Sequence, residues 1–176
     1  TISDPLSRAD ANNWELAAGY CYFQNGRYVV EEDSSGFRTQ CRLLSPAFHD
    51  FALQANMQLA EGDLAGFAFY VSGQDKLNVG YRVVIGADGA WSLNAASGTA
   101  PIPLHTGVDS GFKTGYGQTN TLLVIVRAGF TYCFVNGAYI GGSGINSTDS
   151  GLLGFYVFDN AQPTEAGFSD ARIWSL

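Results

Sequence analysis

Apolar and polar residues alternate along much of this chain, which predicts β-strands rather than helices. Residues 51–59 show the alternation most clearly: every odd position is apolar, and the even positions after Ala52 have amide side chains. Successive side chains of a strand point to opposite faces, so one face of this strand is predicted to lie in the core and the other in water. Residues 65–71 and 79–85 predict two further strands, with Tyr70 on the face opposite the core.

Turn signals between these runs predict antiparallel strands. Asp88-Gly89 and Asn136-Gly137 are dipeptides typical of tight hairpin turns. Residues 122–126 are apolar without alternation, which predicts a strand covered on both faces. Residues 96–119 are rich in Gly, Ser, Thr and Pro and predict a long loop with a short strand at 102–104.

The number of predicted strands favours a sandwich. We expect about eleven to thirteen strands and no helix, and an open sheet of that size curls or splits into two packed sheets. With 176 residues, the chain fits one domain, 1–176. The N-terminal segment and the C-terminal strand are expected to pair. The predicted fold class is therefore all-β, a two-sheet antiparallel jelly-roll sandwich.

The charge and hydropathy of the chain argue against two classes of partner. The sequence has 9 Lys and Arg against 16 Asp and Glu, a net charge of -7, so it does not attract nucleic acid or anionic lipid. Its longest apolar stretches, such as residues 152–158, are far shorter than the roughly 20 residues that span a bilayer. We therefore expect no nucleic-acid partner and no membrane insertion.

Two of the three cysteines are predicted to form a disulfide. Cys21 and Cys41 lie in strand-like runs that are separated by the turn signals Asn25-Gly26 and Ser35-Gly36. Two turns can bring such strands side by side, and a disulfide between them would imply an extracellular or cell-surface location. The alternative is a pair of buried free thiols in a cytosolic protein. Cys133 is expected to be a packed, unpaired thiol.

A polar sheet face with aromatic rings can bind sugars, because ring faces stack on pyranoses and planar polar groups bind hydroxyls. Strand parity predicts such a platform opposite the core. Its candidate ligand-binding residues are Gln54, Asn56, Tyr70, Arg82 and Asn94, joined by Tyr156. The alternative is an ordinary solvated sheet face. Trp91 and Trp174 share the parity of core residues and are predicted to pack inside.

The sequence contains no recognisable catalytic or zinc-binding motif. Glycoside hydrolysis requires two carboxylates that flank the bond, whereas the acidic residues here fall almost entirely in predicted turns, where such residues are common. The histidines and cysteines lack the spacing of a zinc site. No cofactor is expected. A structural calcium ion bound by loop oxygens is an open alternative, and its candidate ligands are Asp4, Asp63, Asp149 and Asp170.

A series of short motifs, taken in order, resembles one known family. The motifs are Asp4-Pro5-Leu6 followed by Trp14, then Gly62-Asp63-Leu64-Ala65-Gly66-Phe67, Tyr81-Arg82-Val83, Asp88-Gly89-Ala90-Trp91, Val135-Asn136-Gly137, Gly151-Leu152-Leu153-Gly154-Phe155 and Phe168-Ser169-Asp170-Ala171-Arg172-Ile173-Trp174. Over nearly the whole chain they resemble the laminin-G-like and 3-keto-disaccharide-hydrolase-like branch of the concanavalin-A-like lectin/glucanase superfamily. The resemblance implies a concanavalin-A-like sandwich in an extracellular bacterial domain. Hydrolase-like members have Arg and Glu where Tyr70 and Arg82 stand here, so the resemblance does not extend to those two positions.

We therefore expect a non-catalytic extracellular recognition module that binds carbohydrate or a cell-surface glycan through the concave sheet face or adjoining loops. One alternative is a glycoside hydrolase-like enzyme. The other is a structural or adhesive subunit of a cell-surface assembly or filament, for which self-association is expected. The sequence leaves the kind of sugar open.

Overall fold

A computed structural model describes residues 1–10, 12–72, 78–96, 100–146 and 148–176. Within these ranges the chain forms fourteen β-strands, numbered β1 to β14 in chain order, and no helix. The predicted all-β class is confirmed. No helix of the described residues is long and apolar enough to cross a membrane.

The strands form two antiparallel sheets. The eight-stranded sheet contains β1 (Ile2–Asp4), β2 (Cys21–Gln24), β3 (Arg27–Glu32), β5 (Phe51–Glu61), β10 (Thr119–Arg127), β11 (Phe130–Val135), β12 (Ala138–Gly144) and β14 (Thr164–Ser175). The six-stranded sheet contains β4 (Arg38–Arg42), β6 (Leu64–Val71), β7 (Tyr81–Gly86), β8 (Ala90–Ala95), β9 (Ile102–Val108) and β13 (Leu152–Phe158).

The two sheets pack face to face around one core. The eight-stranded sheet runs β12-β11-β10-β5-β14-β3-β2, with β1 added beside β14, and the six-stranded sheet runs β4-β13-β6-β7-β8-β9. Aromatic side chains fill the space between them. Phe155 on β13 stacks on Phe168 of β14 at 4.2 Å between ring centroids, which joins the sheets through their centres. Burial of such rings is a dominant favourable term for a sandwich of this size.

The cysteines lie as predicted. Cys21 on β2 and Cys41 on β4 form a disulfide with their Cα atoms 5.8 Å apart, so the bond joins the last strand of one sheet to the first strand of the other. Cys133 on β11 is a buried free thiol. Burial raises the pKa of Cys133 to about 12.

The ends of the chain meet, and one predicted loop is largely a strand. Ile2 of β1 pairs with Ile173 of β14, which confirms the expected pairing of the termini. Within residues 96–119, of which 97–99 lie outside the described residues, β9 extends to Val108 rather than stopping at Leu104. Pairing with β8 from Ala90 to Ala95 supplies the backbone hydrogen bonds that override the turn-rich composition.

Two β-bulges reverse the predicted parity of aromatic side chains. Beside the register shift in the pairing of β6 with β13, Tyr70 has a φ of 56° and packs in the core, while Val71 turns to the outer face. A second shift, between Ser169 and Arg172, puts Trp174 on the outer face beside Ala52. An extra residue in one strand exchanges its two faces from that point onward. Trp91 lies in the core as expected.

The apolar run 122–126 is covered on one face only. Leu122 and Val124 lie in the core, but Leu123 and Ile125 are half-buried on the outer face of β10. Among the described residues, no further layer lies over this face. The expectation of cover on both sides is therefore wrong for the single chain.

Candidate functional site

The six candidate ligand-binding residues do not form one platform. Arg82, Asn94 and Tyr156 share the outer face of the six-stranded sheet, whereas Gln54 and Asn56 lie on the outer face of the other sheet, on the opposite side of the molecule. Tyr70 belongs to the core, where its hydroxyl donates to the carbonyl oxygen of His49. Parity distinguishes core from solvent, but it does not reveal which of two sheets a strand joins.

Arg82 is the centre of the outer face of the six-stranded sheet. Its guanidinium carbon lies 5.3 Å from the ring centroid of Tyr156, and its Nη2 donates to Gln40 Oε1 at 3.1 Å. Asn94 is its partner in register on β8. Arg82 is only 3% exposed, and burial lowers its pKa. The group is thus a packed polar centre that supports the sheet face more than it offers a surface to a ligand.

A groove of about 540 Å³ opens at one end of the same sheet face. We name it the loop-end groove, because the end residues of four strands and the loops that adjoin them surround it. Its lining consists of Gly62, Asp63, Leu64, Gly86, Ala87, Asp88, Ala90, Tyr116, Phe158 and Asn160. A volume of this order lies within the range of small-molecule sites.

Small residues form the floor of the loop-end groove, and aromatic residues form its walls. Gly86 of β7 is in register with Leu64 of β6, and Ala90 begins the next strand, β8, so little side-chain bulk rises from the sheet there. Phe158 forms one wall and packs against the outer apolar cluster around Tyr156. Ring faces with open space beside them are suited to the apolar face of a sugar.

Tyr116 forms the second aromatic wall and is held in place by hydrogen bonds. Its ring is 51% exposed, and its hydroxyl donates to the carbonyl oxygen of Gly62 at 3.0 Å. The flanking amides of Gly115 and Gly117 donate to Ala87 and Leu59 at 2.7 and 2.8 Å. The loop is therefore tied to two strand ends, which pre-organises the ring and lowers the entropic cost of binding.

Asp63 is oriented by the turn between β13 and β14. Its Oδ2 accepts hydrogen bonds from the backbone amides of Asn160, Ala161 and Gln162 at 2.8, 2.8 and 3.1 Å. Burial opposes ionisation, but the three amides outweigh it, and the pKa of Asp63 is lowered overall. Asp63 is thus an ionised acceptor at the rim, next to the exposed side chains of Asn160 and Asp88.

The loop-end groove combines the groups that bind hydroxyl-rich ligands: two aromatic walls, two carboxylates and one amide. None of the six candidate residues predicted from strand parity lines it. Asp63, Asp88 and Asn160 are spread over three separate loops, so no local spacing in the sequence brings them together. The signal that was available is the run of turns at the ends of the predicted strands, where functional residues concentrate.

Comparison with known proteins supports the fold and leaves the family open. No protein family model and no curated protein matches the sequence. The carbohydrate-binding module CBM66 from Bacillus subtilis is similar in structure, with a TM-score of 0.75 and 15% identity over 92% of this chain and 95% of that one. The chain has a concanavalin-A-like fold.

Two further solved structures share this fold. A Bacillus subtilis protein of unknown function with a galectin-like fold has a TM-score of 0.75 and 14% identity over 98% of this chain and 94% of its own. The β-glucanase of Bacillus licheniformis has a TM-score of 0.68 and 12% identity over 99% and 98%. The concanavalin-A-like fold thus occurs in a binding module and in a hydrolase. The fold alone does not decide between these two functions, so the residues of the site have to distinguish them.

The acidic groups near the groove are poorly arranged for glycoside hydrolysis. A general acid in a concanavalin-A-like hydrolase must keep its proton near neutral pH and face the substrate. Asp63 lines the groove, but its pKa is lowered. Asp159 has a raised pKa, through burial and the negative charges of Asp63, Glu32 and Asp33, but it is buried and does not line the groove. Among the described residues, the aspartate with the raised pKa therefore lies outside the groove lining, where it does not face a substrate in the groove.

The aspartates predicted as calcium ligands do not converge. Asp4 is buried and accepts from Trp14 Nε1 at 2.9 Å, Asp149 accepts from Tyr81 at 3.0 Å, and Asp170 accepts from Asn56 at 2.9 Å. Asp63 accepts from the three amides described above. The described parts of the chain contain no cluster of three or more metal-ligating side chains. These residues therefore do not fit a shared ion, and a calcium ion stays a prediction without a site.

A second groove, of about 370 Å³, lies on the outer face of the eight-stranded sheet. Beside it, Glu165 stands in register between Glu31 and Glu61, and its pKa is raised by burial and by these two neighbours. Glu31 and Glu32 thus lie in strand β3 and not in a turn as predicted. The lining of this groove is polar and includes no aromatic ring, so it is less suited to a sugar than the loop-end groove.

Proposed function

We propose that this chain is a non-catalytic extracellular carbohydrate-binding module whose ligand occupies the loop-end groove. The observation that supports this most is the pairing of two aromatic walls, Phe158 and Tyr116, with the polar rim of Asp63, Asp88 and Asn160. A pyranose presents an apolar face and a ring of hydroxyls, which match these two kinds of group. The likeness to a carbohydrate-binding module adds support at the level of the fold.

The disulfide supports the extracellular part of the proposal. Disulfides persist in oxidising compartments and are rare in the cytosol, and Cys21–Cys41 joins the two sheets at their margin. A sugar on a neighbouring cell or in the surrounding matrix is the kind of ligand that such a domain meets.

The test is a glycan array screened with the purified domain, followed by calorimetry on any sugar that binds. Tyr116→Ala is expected to weaken binding about three- to tenfold, as loss of one aromatic contact does. Tyr20→Ala is the matched control, because Tyr20 is a comparably exposed tyrosine outside the groove. Asn94→Ala tests the sheet centre around Arg82.

The outcomes distinguish an error in the proposed site from an error in the proposed function. Binding that is lost in Asn94→Ala but unchanged in Tyr116→Ala would move the ligand from the loop-end groove to the sheet centre. A correctly folded domain that binds no glycan would contradict carbohydrate recognition itself.

The second candidate is a glycoside hydrolase-like enzyme. It is favoured by the presence of two carboxylates, Asp63 and Asp88, on one groove. Incubation of the domain with each bound glycan, followed by assay for new reducing ends, distinguishes the two. We expect no new reducing ends. If they appear and Asp88→Asn abolishes them, the chain is an enzyme rather than a binding module.

A further inference from the structure

The last strands of the two sheets lie side by side at one margin of the sandwich, which we name the β9/β12 edge. In the described structure β12 pairs only with β11, and β9 only with β8. His105 of β9 lies with Nδ1 3.1 Å from the carbonyl oxygen of Gly142 on β12, which holds the two strands together. His105 thus occupies the carbonyl group of Gly142. In the described structure neither β9 nor β12 has a second neighbouring strand in its own sheet, so the remaining outward backbone groups of β12 are a template for another strand.

Of the two strands at this edge, β9 contains Pro103, whereas β12 has neither proline nor charge to protect it against strand pairing. Natural edge strands are blunted by charged residues, by proline or by being very short. From Ala128 to Thr148 the sequence contains no Asp, Glu, Lys or Arg and no proline. Strand β12, at seven residues, is as long as the interior strand β13. Its one irregularity is a bulge where it passes Cys133 and Phe134.

Exposed aromatic side chains continue the edge onto the outer face of the eight-stranded sheet. Tyr132 is 40% exposed and Tyr139 is 56% exposed, and each packs against a half-buried phenylalanine. The half-buried Leu123 and Ile125 of β10 lie beside them in register. Tyrosines and apolar residues of this kind are enriched in protein interfaces.

The chemistry of the edge favours a second copy of this chain over a sugar polymer. A flat polysaccharide needs coplanar rings, whereas Phe130 and Tyr132 are inclined at 49°, and Phe134 and Tyr139 at 63°. Two copies of a chain with a net charge of -7 repel each other. The uncharged β9/β12 edge is a region where they can approach without placing like charges in contact.

We propose that two copies of this chain associate through β12, paired antiparallel across a two-fold axis, so that their eight-stranded sheets become one continuous sheet. Pairing of a strand with its own copy makes the interface isologous, which is the commonest arrangement in homodimers. Backbone hydrogen bonds supply the pairing, and the tyrosines of the two copies cover the junction. Gly144 shares the outer face of β12 with Tyr139, and the space above it is open, which leaves room for a ring of the partner.

The test is sedimentation velocity of the full chain over a wide range of concentration. The wild type is expected to form a dimer that dissociates on dilution. Tyr139→Lys, and independently Ala138→Lys, is expected to raise the dimer dissociation constant at least tenfold, because each substitution would bury an ammonium group at a junction that has no charge to pair with it. Both residues are exposed, so circular dichroism should stay unchanged, and so should Tm at a concentration where wild type and variants are all monomeric. Tyr20→Lys, on the opposite margin of the sandwich, is the matched control and should dimerise as the wild type does.

Three results would overturn the proposal. The first is a wild-type chain that stays monomeric at the highest concentration. The second is a dimer that tolerates both lysine substitutions while their folds remain intact. The third is a dimer that survives Tyr139→Lys but is lost in Val108→Lys, because the contact would then lie on β9. Glycan binding is measured on separate variants, so neither proposal depends on the other.

Discussion

The two margins of the sandwich are built in opposite ways. At the margin formed by β2 and β4, which we name the β2/β4 edge, a disulfide joins the sheets and a segment of chain covers the end strand. At the β9/β12 edge, both end strands are seven residues long, and the described structure shows neither a covalent link nor a covering segment. In the described structure, a disulfide and a covering segment close the first margin, whereas one hydrogen bond from His105 to Gly142 joins the sheets at the second.

The covering segment at the β2/β4 edge is held by several independent contacts. Trp14 bridges to Leu43, and the amide of Glu15 donates to the carbonyl oxygen of Arg42 at 2.8 Å. The ring of Trp14 stacks on Phe155 at 4.8 Å, and its Nε1 donates to the buried Asp4. Backbone groups that would otherwise be left open on β4 are thereby paired within the chain.

The comparison indicates that one edge contributes mainly to the stability of the fold and the other mainly to interaction with a partner. The β2/β4 edge contains the covalent, ionic and aromatic contacts that stabilise the fold, so changes there should lower the free energy of unfolding. The β9/β12 edge contains exposed apolar groups, such as Val108 at 77% exposure, that stabilise the single chain little. Changes there should alter association and leave the fold intact.

Removal of the disulfide should have the largest effect. The bond closes a loop with a sequence separation of 20, and the loop-entropy relation gives a loss of about 3 kcal/mol in the free energy of unfolding. Urea denaturation of the Cys21→Ser, Cys41→Ser double variant measures it. Cys133→Ala, which removes the free thiol of β11, is the control. A double variant as stable as the control would show that the bond does not stabilise the β2/β4 edge.

The ion pair at the same edge should contribute less. Arg42 Nε and Nη2 donate to the two oxygens of Glu15 at 2.9 and 3.1 Å, and both side chains are largely buried. Glu15→Gln should lower the free energy of unfolding by about 1–2 kcal/mol, because a bidentate, partly desolvated pair is stronger than an exposed one.

The contact of the exposed His49 with Asp50 is the control for this ion pair, because its histidine side chain is 54% exposed. His49→Gln should change stability by less than about 0.5 kcal/mol in the same denaturation assay. Equal losses in the two variants would mean that burial adds nothing to the Glu15–Arg42 pair.

The buried carboxyl group of Asp159 should make the stability of the fold depend on pH. Asp159 lies where the loop before β4 meets the end of β13. Its backbone pairs with Gly36 and Phe37, and neither carboxylate oxygen accepts a hydrogen bond of normal geometry from the described residues, although the Gln162 amide favours the charged form to a small extent. Burial and three neighbouring acids raise its pKa, so the folded state is favoured below the ordinary value of 3.8 and loses stability as the pH rises.

Asp159→Asn should therefore raise Tm at pH 7, with a gain that shrinks toward pH 3. Asp63→Asn is the control of opposite sign, because the pKa of Asp63 is lowered and its ionised form stabilises the fold above the ordinary value. Thermal unfolding at the two pH values checks both. A loss of Tm in Asp159→Asn at pH 7 would contradict an uncompensated buried charge.

Substitution at the β9/β12 edge should have the smallest effect on folding. Val108→Lys should change the free energy of unfolding by less than about 0.5 kcal/mol, because an exposed side chain loses little packing. The same urea assay, at a concentration where the chain is monomeric, measures it. A loss comparable to that of the disulfide variant would remove the contrast between the two edges.

Much of the fold could be predicted because its signals are local. Alternation over residues 51–59 determined a half-buried strand, and the structure has β5 there. The turn signals between Cys21 and Cys41 predicted a disulfide, which the structure confirms, although the two strands belong to different sheets. Periodicity and turn chemistry depend on adjacent residues, so they are visible in one sequence.

The candidate site was less predictable because bulges and sheet membership are not local. Tyr70 and Trp174 change faces after a single extra residue in the ladder. Gln54 and Arg82 share a parity but lie on different sheets. A strand's partner is decided by the packing of the whole chain, and periodicity is the same for either partner.

The sequence by itself determined the class of the fold and the net charge of -7, and it predicted the disulfide between Cys21 and Cys41. Only the tertiary structure decided which polar residues face the same solvent, because three loops distant in sequence meet to form the loop-end groove. It also decided which strands end the sheets. The absence of charge between Ala128 and Thr148 is plain in the sequence, but it becomes an exposed edge only when β12 has no outer neighbour among the described residues.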